Sequence, residues 1–411
     1  MTFLYLPVLY LHGYRALARP LADFPSFYLA AQAVLGGQIS PYDIAGLQAL
    51  AQAQGIDQRV FPFLYPPPSL VLMLPLGTLS YARAALLFMC LSHLALLVAA
   101  WFVCRRLLSG AWQRADLLLL VGLVYFFAFF PTLATLDLGQ NNLLVLACVS
   151  AAWVAMRERR GDWIAGVLLA LACLSKLYLV LLLGALLVRG RTRVVMWSVA
   201  TLGGFAALSL LLLPHSTWHE WLTEIAPSGG YGRSPRGLFS AADVVNQSLA
   251  GFIARLFRGE KAPLGHYAAL CVPLTYAAAI AVLAGWTWAL LRARRRPELS
   301  DDFDAVMSLT LLTVFLVAPF SWDHHLSVLS GVTLLALCHA ANPARTPTMP
   351  TLERFTVVAS AILLAWEIPM GAPFMKQGIP VLLGSVKCAA VFALWWSSFL
   401  RVAALRALPA S

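Results

Sequence analysis

The chain alternates long apolar runs with short polar connections. The apolar runs occupy approximately residues 82–104, 116–131, 141–156, 163–174, 177–188, 194–213, 266–291, 303–320, 324–341, 355–370 and 379–400. Many of them approach the roughly 20 residues that a helix needs to cross a bilayer, and short alternating segments typical of a membrane barrel are missing. The pattern predicts an all-α, polytopic membrane helix bundle with about 11–13 transmembrane or half-spanning helices.

A polar stretch from Asp23 to Pro68 precedes these runs. Its apolar positions recur at helical spacing: Phe24, Phe27, Tyr28, Ala31 and Leu35. They predict an amphipathic helix that lies along the membrane surface and ends at Gly36-Gly37. A second helix is expected from Ile44 to Gln54. The short apolar run from Ser69 to Leu79 is expected to be re-entrant or half-inserted.

The first residues leave two expectations open. The apolar run from Phe3 to Leu11 is short for a span, and it lacks the charged start and small-residue cleavage site of a signal peptide. Either Thr2 to Leu17 crosses the membrane as a strained short helix, or a wrong start site has removed part of a first spanning helix.

Arginine placement predicts the orientation. Cytoplasmic connections of membrane proteins are enriched in arginine and lysine, and the chain has such clusters at 105–114, 157–160, 189–193 and 292–296. The remaining connections then face outward. We therefore expect one integral membrane domain, 1–411, with 19–66 as the first extracytoplasmic loop and 214–265 as the second long one.

Composition agrees with this class. Of 411 residues, 61% are hydrophobic and 11% are charged, against about one quarter charged in soluble chains. The net charge of +11 requires no nucleic acid, because the arginines lie between apolar runs. The seven cysteines are an odd number within or beside apolar runs, so no disulfide framework is expected. The excess of arginine over lysine is typical of a GC-rich bacterial genome and predicts a multi-pass protein of the inner or plasma membrane.

Polar side chains gather on the predicted outward side. Ionisable groups are rare within membrane segments and usually mark a site. The candidates there are Asp23, Asp43, Tyr65, Gln140, Asn141, Lys176, Asn246, Gln247, Trp322, His324 and His325.

Each candidate has a structural alternative. Asp23 and Asp43 precede helices and are typical N-caps. Lys176 interrupts a long apolar run and is suited to snorkelling towards an interface. Gln140 and Asn141 are amides of the kind that hold membrane helices together.

The remaining polar groups are equally open to a structural interpretation. His324 and His325 follow the end of a span, where interfacial histidines are common. Asn246-Gln247-Ser248 also fits a glycosylation sequon. Arg233 and Arg236 lie in a glycine-rich loop, where solvated charge is the simpler interpretation and an anionic lipid head group is the alternative.

An ordered set of short pieces nevertheless resembles a known family. The pieces are Asp23-Phe24 with Tyr28 and Ala30-Ala31, Gly36 to Tyr42-Asp43, Tyr65-Pro66-Pro67, Gly139-Gln140-Asn141, Gly166 to Lys176 with Arg189-Gly190-Arg191, Asn246-Gln247-Ser248, and Ser321-Trp322 with His324-His325. In this order they resemble glycosyltransferase family 87, the polyprenol-phosphate-mannose-dependent mannosyltransferases of the GT-C membrane class. The N-terminus is shorter than in that family, and the last 80 residues match only as generic spans.

The resemblance implies an inverting transfer of a hexose, most simply mannose, from a polyprenyl-phosphate-sugar donor at the outer face. The acceptor is a lipid-linked molecule or a glycan, and membrane lipids are further partners. Asp23 matches the family's catalytic base. Lys176 is expected near the donor phosphate, and at least one of His324 and His325 near the phosphate or the acceptor. The other expected substrate contacts are Asp43, Tyr65, Gln140, Asn141, Asn246, Gln247 and Trp322.

The chemistry agrees with these residue types. An acceptor hydroxyl requires a base in the transition state, and a departing phosphate requires cationic or hydrogen-bonding partners. No cofactor is expected, since the lipid-phosphate sugar is itself a substrate, although a divalent metal stays an alternative. No nucleotide-binding glycine motif is present.

Two other functions compete with this interpretation. The first is another GT-C enzyme, or a lipid-glycan ligase or polymerase, that uses a different sugar. The second is a secondary transporter, but such proteins place polar groups near the midplane on broken helices in repeated halves. Here the polar groups lie at span ends, and no internal repeat is present.

Overall fold

The protein is helical, as its apolar pattern predicts. The computed structural model describes residues 21–107, 115–159, 161–235, 240–258, 269–294, 300–341, 349–368, 372 and 379–404. These residues contain no strand beyond an isolated antiparallel bridge between Asn246 and Trp322. The predicted segment Thr2 to Leu17, together with Arg236 and Arg295, lies outside the described residues.

Twenty α-helices are named here in chain order. They are α1 Phe24–Gly36, α2 Ile44–Ala53, α3 Pro67–Val71, α4 Leu74–Gly77, α5 Tyr81–Phe102, α6 Ala115–Ala128, α7 Phe130–Leu138, α8 Asn142–Arg157, α9 Asp162–Ser175, α10 Val180–Val188, α11 Thr192–Leu212, α12 His215–Glu220, α13 Ala226–Ser228, α14 Leu249–Arg258, α15 Cys271–Arg294, α16 Ser300–Val317, α17 Ser330–Ala341, α18 Thr351–Ala365, α19 Pro380–Leu383 and α20 Val386–Ala404. Two 3₁₀ helices, Leu177–Leu179 and Asp323–Leu329, and two π-helical segments, Val103–Leu107 and Trp221–Ile225, complete the described part.

Several helices are long and apolar enough to cross a bilayer. Within the described ranges there are five: Tyr81–Arg105, Thr192–Leu212, Cys271–Arg294, Asp323–Ala341 and Val386–Ala403. The pair Leu120–Ala128 and Phe130–Leu138, bent by 52°, is a sixth if it forms one span. Asn142–Arg157, Asp162–Ser175 and Leu177–Val188 are shorter apolar helices. The predicted all-α polytopic membrane bundle is confirmed.

Helix α16 forms the centre of the bundle. Its side chains are buried over most of its length, and three tryptophans from neighbouring helices donate hydrogen bonds to its polar groups. The pairs are Trp153 Nε1 to Asp304 at 2.7 Å, Trp286 Nε1 to Thr310 at 3.0 Å, and Trp395 Nε1 to Thr313 at 2.8 Å. Such bonds satisfy buried polar atoms and fix the packing of membrane helices.

The burial of helix α1 contradicts the prediction of a helix lying along the membrane surface. The expected surface helix is buried, with Phe24 and Phe27 each 0% exposed, because small and large apolar residues surround its axis. The Tyr28 hydroxyl donates to the Leu79 carbonyl at 3.0 Å. Gly37, with φ 68°, ends the helix in the left-handed conformation, which glycine adopts without strain. Helix α1 is therefore a packed part of the protein and not a strip lying on the lipid.

The predicted half-inserted run from Ser69 to Leu79 consists of two short helices, α3 and α4. They contain 5 and 4 residues, far fewer than a bilayer crossing requires. They pack against α1 and carry the chain from the opening loop into α5.

Candidate functional site

A cavity of about 770 Å³ lies where the opening loop meets the bundle. Its polar lining comes from well-separated parts of the chain: Asp23, Ser26, Tyr65, Gln140, Ser175, Lys176, Tyr178, Ser228, Asp243, Trp322, Asp323, His324, His325 and Glu367. Apolar and aromatic side chains, including Phe130, Trp221 and Phe320, form much of the remaining wall. This combination of an apolar wall with a few convergent polar groups is typical of small-molecule sites.

Asp23 directs its carboxylate into this cavity wall and not onto its own helix. It occupies the N-cap position of α1, but its side chain makes no capping bond. Its backbone N–H donates to the Leu138 carbonyl at 2.8 Å, and its Oδ2 accepts from Gln140 Nε2 at 2.7 Å. The N-cap alternative therefore does not apply to Asp23.

The surroundings make Asp23 a stronger base than an ordinary aspartate. Burial raises the pKa of Asp23, while the Gln140 hydrogen bond and the positive charge of Lys176 lower it. Burial is the largest of these effects. A carboxylate whose pKa is raised by desolvation is typical of catalytic bases.

Gln140 reaches Asp23 because of the glycine before it. Gly139 ends α7 in the left-handed conformation, with φ 69°. A Cβ at Gly139 would lie 2.9 Å from the Cβ atoms of Leu21 and Phe24, so only glycine allows this approach. The turn directs Gln140 towards the start of α1, where its Oε1 also accepts from the Tyr65 hydroxyl at 3.2 Å.

Lys176 lies at the break between α9 and the 3₁₀ helix Leu177–Leu179. It is 5% exposed. Its Nζ donates to the Tyr65 hydroxyl at 3.2 Å, lies 3.1 Å from His325 Nε2 and is 5.3 Å from the Tyr65 ring centroid. A snorkelling lysine holds its ammonium in water, whereas this ammonium is held within the cavity wall.

His324 and His325 begin the 3₁₀ helix Asp323–Leu329. The carbonyl of His324 is anchored by the Thr135 hydroxyl at 3.0 Å and by Asn142 Nδ2 at 3.3 Å. Within the described part of the chain, His324 Nε2 and His325 Nδ1 are buried without a hydrogen-bond partner. Unmatched buried polar atoms beside a cavity indicate where a ligand atom belongs.

Hydrogen bonding assigns the His325 tautomer. Burial lowers the pKa of Lys176 to about 7, although the Asp23 carboxylate opposes that effect. In its charged form Lys176 carries only donors, so His325 Nε2 then accepts from it. A neutral imidazole then carries its proton on Nδ1. His325 thus presents an unmatched N–H group beside the Lys176 ammonium, and these are two donors suited to an anionic oxygen.

Asn246 and Gln247 lie behind the cavity wall. Asn246 Oδ1 accepts from the Ser321 backbone N–H at 3.0 Å, and its Nδ2 donates to the Pro319 carbonyl at 3.1 Å. Gln247 Nε2 donates to the Gly384 carbonyl at 2.6 Å. Both side chains bond to protein groups in other segments and neither lines the cavity, so their contact with substrate stays a prediction.

Asp43 and Asn141 also lie away from the cavity lining. The Asp43 side chain is exposed and accepts from the Ala45 backbone N–H at 3.1 Å, so it is an N-cap of α2. Asn141 is 1% exposed and lies at the start of α8. Trp322, in contrast, lines the cavity and stacks on Phe320 with ring centroids 5.6 Å apart.

The structure adds groups that the sequence interpretation did not assign. Lys387 Nζ forms a buried ion pair with Asp323 Oδ1 at 2.7 Å. Tyr178 lines the cavity, and its hydroxyl is buried without a partner among the described residues. Lys387 interrupts an apolar run just as Lys176 does, and that signal was available in the sequence. Tyr178 had no such signal, because an aromatic residue within an apolar run is ordinary.

Over the described ranges, no three His, Cys, Asp or Glu side chains are grouped closely enough to hold an ion.

The chain is similar in sequence to known proteins. A protein named polyprenol-phosphate-mannose-dependent alpha-(1-2)-phosphatidylinositol mannoside mannosyltransferase, from Mycolicibacterium smegmatis, is 29% identical over 287 residues. A protein named polyprenol-phosphate-mannose-dependent alpha-(1-2)-phosphatidylinositol pentamannoside mannosyltransferase, from Mycobacterium tuberculosis, is 27% identical over 268 residues. The matches cover 66% and 64% of this chain but only 60% and 56% of the relatives. No solved structure matches the chain significantly.

The family match includes part of the site. The model of glycosyltransferase family 87 matches residues 63–319, which is more than half of the chain. This region contains Tyr65, Gln140 and Lys176, whereas Asp23 precedes it and His325 follows it. The predicted family is confirmed, and the chain belongs to glycosyltransferase family 87.

Proposed function

We propose that the protein is a membrane mannosyltransferase that transfers mannose from polyprenyl-phosphate-mannose to a lipid-linked acceptor. The names of both relatives support this donor and an acceptor of the phosphatidylinositol mannoside class. One observation carries the proposal: Asp23, Lys176 and His325 line a single cavity and are joined through hydrogen bonds.

In the proposed reaction, the acceptor hydroxyl oxygen attacks the anomeric carbon of mannose. Asp23 takes the hydroxyl proton as the new bond forms. The bond between the anomeric carbon and the phosphate oxygen breaks, and both of its electrons leave with polyprenyl phosphate. A single displacement of this kind inverts the anomeric configuration, and it requires no covalent sugar–enzyme intermediate.

Charge develops on the departing phosphate, and the proposed partners for it are Lys176, His325 and His324. The Lys176 ammonium and the unmatched N–H of His325 are preorganised donors, so they stabilise that charge without reorganisation during the reaction. The His324 Nε2 atom lies in the same lining and is also without a partner among the described residues. The apolar wall suits the isoprenoid portion of the donor.

The proposal is tested by replacing the base. Purified Asp23→Asn protein, incubated with radiolabelled polyprenyl-phosphate-mannose and a phosphatidylinositol mannoside acceptor, is expected to lose transfer by about 10²–10⁴-fold, the usual contribution of a general base. Asp43→Asn is the matched control, because Asp43 belongs to the same loop but lies outside the cavity. Near-normal transfer by Asp23→Asn, or an equal loss in Asp43→Asn, contradicts the assignment.

We further propose that the cavity opens to the outer face of the inner or plasma membrane. The arginine clusters at the opposite ends of the helices support this orientation. A cysteine at Gln38, which is exposed, is expected to react with an impermeant reagent on intact cells, while one at Arg193 is not. The exposed native Cys90 is first replaced by serine. The reverse labelling pattern contradicts the orientation without affecting the proposed chemistry.

A further inference from the structure

The proposed base and the proposed phosphate-binding cation are joined by one line of hydrogen bonds. Lys176 Nζ donates to the Tyr65 hydroxyl at 3.2 Å, and that hydroxyl donates to Gln140 Oε1 at 3.2 Å. Gln140 Nε2 then donates to Asp23 Oδ2 at 2.7 Å. The four residues come from four separate places in the chain, so the line exists only in the folded protein.

The chemistry of the groups fixes the direction of every bond. An ammonium carries donors only, so the Tyr65 oxygen must accept from Lys176. The Tyr65 proton is then directed to the Gln140 carbonyl oxygen, and the Gln140 NH₂ group is left to face the carboxylate. Amide oxygen and nitrogen are assigned through such partners. The ionised Asp23 carboxylate, which only accepts, favours the same orientation, so without the Tyr65 hydroxyl one of the two groups that orient the amide is lost.

The Tyr65 ring is held firmly enough to serve this purpose. Its centroid lies 5.2 Å from that of Phe27 and 5.4 Å from that of Phe63, while the Lys176 ammonium lies over its face. Its backbone carbonyl accepts from the buried Tyr42 hydroxyl at 2.9 Å. Aromatic packing and a hydrogen bond therefore fix both the ring and its backbone.

We propose that Tyr65 and Gln140 are positioning residues that connect the donor-phosphate cation Lys176 to the base Asp23, so that occupation of the phosphate site strengthens the base. This inference rests on the proposed function. Both residues were expected to contact substrate directly, and here their polar atoms are instead committed to protein partners. They act through Asp23 and Lys176 and are not themselves catalytic residues.

The coupling follows from electrostatics. In the unoccupied site, the positive charge of Lys176 favours the ionised Asp23 carboxylate and so weakens it as a base. An anionic phosphate beside Lys176 compensates that charge. Asp23 then becomes more basic at the stage when the donor is in place, while the Gln140 amide keeps the carboxylate in position.

Other ionisable groups share the cavity lining with Asp23. They are Tyr65, Lys176, Tyr178, Asp243, Asp323, His324, His325 and Glu367. Of these, only Lys176 contributes a resolved charge effect on the Asp23 carboxylate. The pH dependence of the base is therefore controlled by burial, by Gln140 and by Lys176.

Tyr65→Phe tests the connection, because it removes the hydroxyl and keeps the ring. The Gln140 amide loses one of the two groups that orient it, so its hydrogen bond to the ionised carboxylate weakens but is not removed. We expect the acid limb of the kcat profile to move up by at most about one pH unit, the shift that complete loss of a hydrogen bond to a charged group gives. The donor KM is expected to change far less than when Lys176 is replaced.

Tyr28→Phe is the matched control. It removes a buried hydroxyl of α1 that donates to the Leu79 carbonyl, and it leaves Tyr65 and the line from Lys176 to Asp23 intact. Its pH profile is expected to equal that of wild type, even if its melting temperature falls. Gln140→Leu supplies a second test should Tyr65→Phe fold poorly; it removes the hydrogen bond to the carboxylate itself and is expected to shift the acid limb up by about one pH unit.

The outcomes separate this inference from the proposed function. If Asp23→Asn is inactive and both Tyr65→Phe and Gln140→Leu keep the wild-type pH profile, the positioning role is wrong while the proposed function stands. A shift of equal size in Tyr28→Phe also overturns the positioning role, because it reports general loosening of the loop. If Asp23→Asn remains active, the base assignment fails and the connection to it fails as well.

Discussion

Replacing Lys176 with methionine separates binding of the donor from the rest of the site. Methionine keeps most of the length of lysine and its apolar stem, so the wall is expected to keep its shape. The change removes the ammonium that contacts the Tyr65 hydroxyl and His325 Nε2. If Lys176 holds the donor phosphate, the principal effect of the substitution is a weaker donor interaction.

The magnitude follows from the contact that is lost. A hydrogen bond to a charged partner contributes on the order of 1.5–3 kcal/mol, which corresponds to about 10–150-fold in affinity. We therefore expect the donor KM of Lys176→Met to rise within that range, with a smaller change in the acceptor KM. Loss of the positive charge also raises the pKa of Asp23 further, so the acid limb of the pH profile is expected to move upward.

The assay is steady-state transfer of radiolabelled mannose with the donor and the acceptor varied in turn. Lys387→Met provides the comparison, because Lys387 is also a buried lysine of this region but is paired with Asp323 at 2.7 Å. Removing Lys387 leaves a buried carboxylate unpaired, which costs about 3–5 kcal/mol, so the melting temperature should fall. An unchanged donor KM in folded Lys176→Met protein refutes the phosphate-binding role.

Three further predictions follow from the site. Gly139→Ala is expected to reduce kcat strongly, as measured by steady-state kinetics. The left-handed backbone costs about 1–2 kcal/mol for residues other than glycine, and the added Cβ displaces the turn that carries Gln140. Asn246→Ala leaves the backbone N–H groups of Ser248 and Ser321 without their acceptor. It should lower the free energy of unfolding by about 1–3 kcal/mol, measured by thermal unfolding, while kinetics show both KM values unchanged. Wild-type transfer should be lost as pH falls through the raised pKa of Asp23, because the base works only when ionised, and Asp23→Asn should lack this limb.

The sequence was most informative where polar groups are expensive to bury. Lys176 and the pair His324-His325 interrupt apolar surroundings, and such interruptions in a membrane protein usually have a purpose. The structure places all three in one cavity lining. The same rule does not distinguish the possible roles of Asn246 and Gln247. A buried amide is equally well used to tie backbone segments together, and only the identity of its partners distinguishes the two uses.

The N-cap question shows a second limit. Asp23 and Asp43 both precede a helix, and periodicity cannot separate them. Asp43 caps its helix through Ala45, whereas Asp23 turns to Gln140, which is distant in sequence. That difference arises from the tertiary approach of the Gly139 turn to α1. The burial of α1 was missed for a similar reason, because a helix with small residues on its polar side permits close packing that composition does not reveal.

Helix lengths place the end of α8 that lies near the cavity short of the far end of a longer span, α15. Arg191 bonds to the Met156 carbonyl at the arginine-rich end of α8, and Arg189 bonds to the Ala293 carbonyl at the same end of α15, so these ends lie close to one level. From there α8, with 16 residues, extends about 24 Å, while α15, with 24 residues, extends about 36 Å at 1.5 Å per residue. For helices of similar tilt, the far end of α8 therefore lies about 12 Å deeper. Its neighbour α9 is shorter still. Because the helices beside Gln140 and Lys176 are short, a recess forms at their ends. There the phosphate of the proposed lipid donor can meet buried polar groups while its isoprenoid chain remains beside apolar residues.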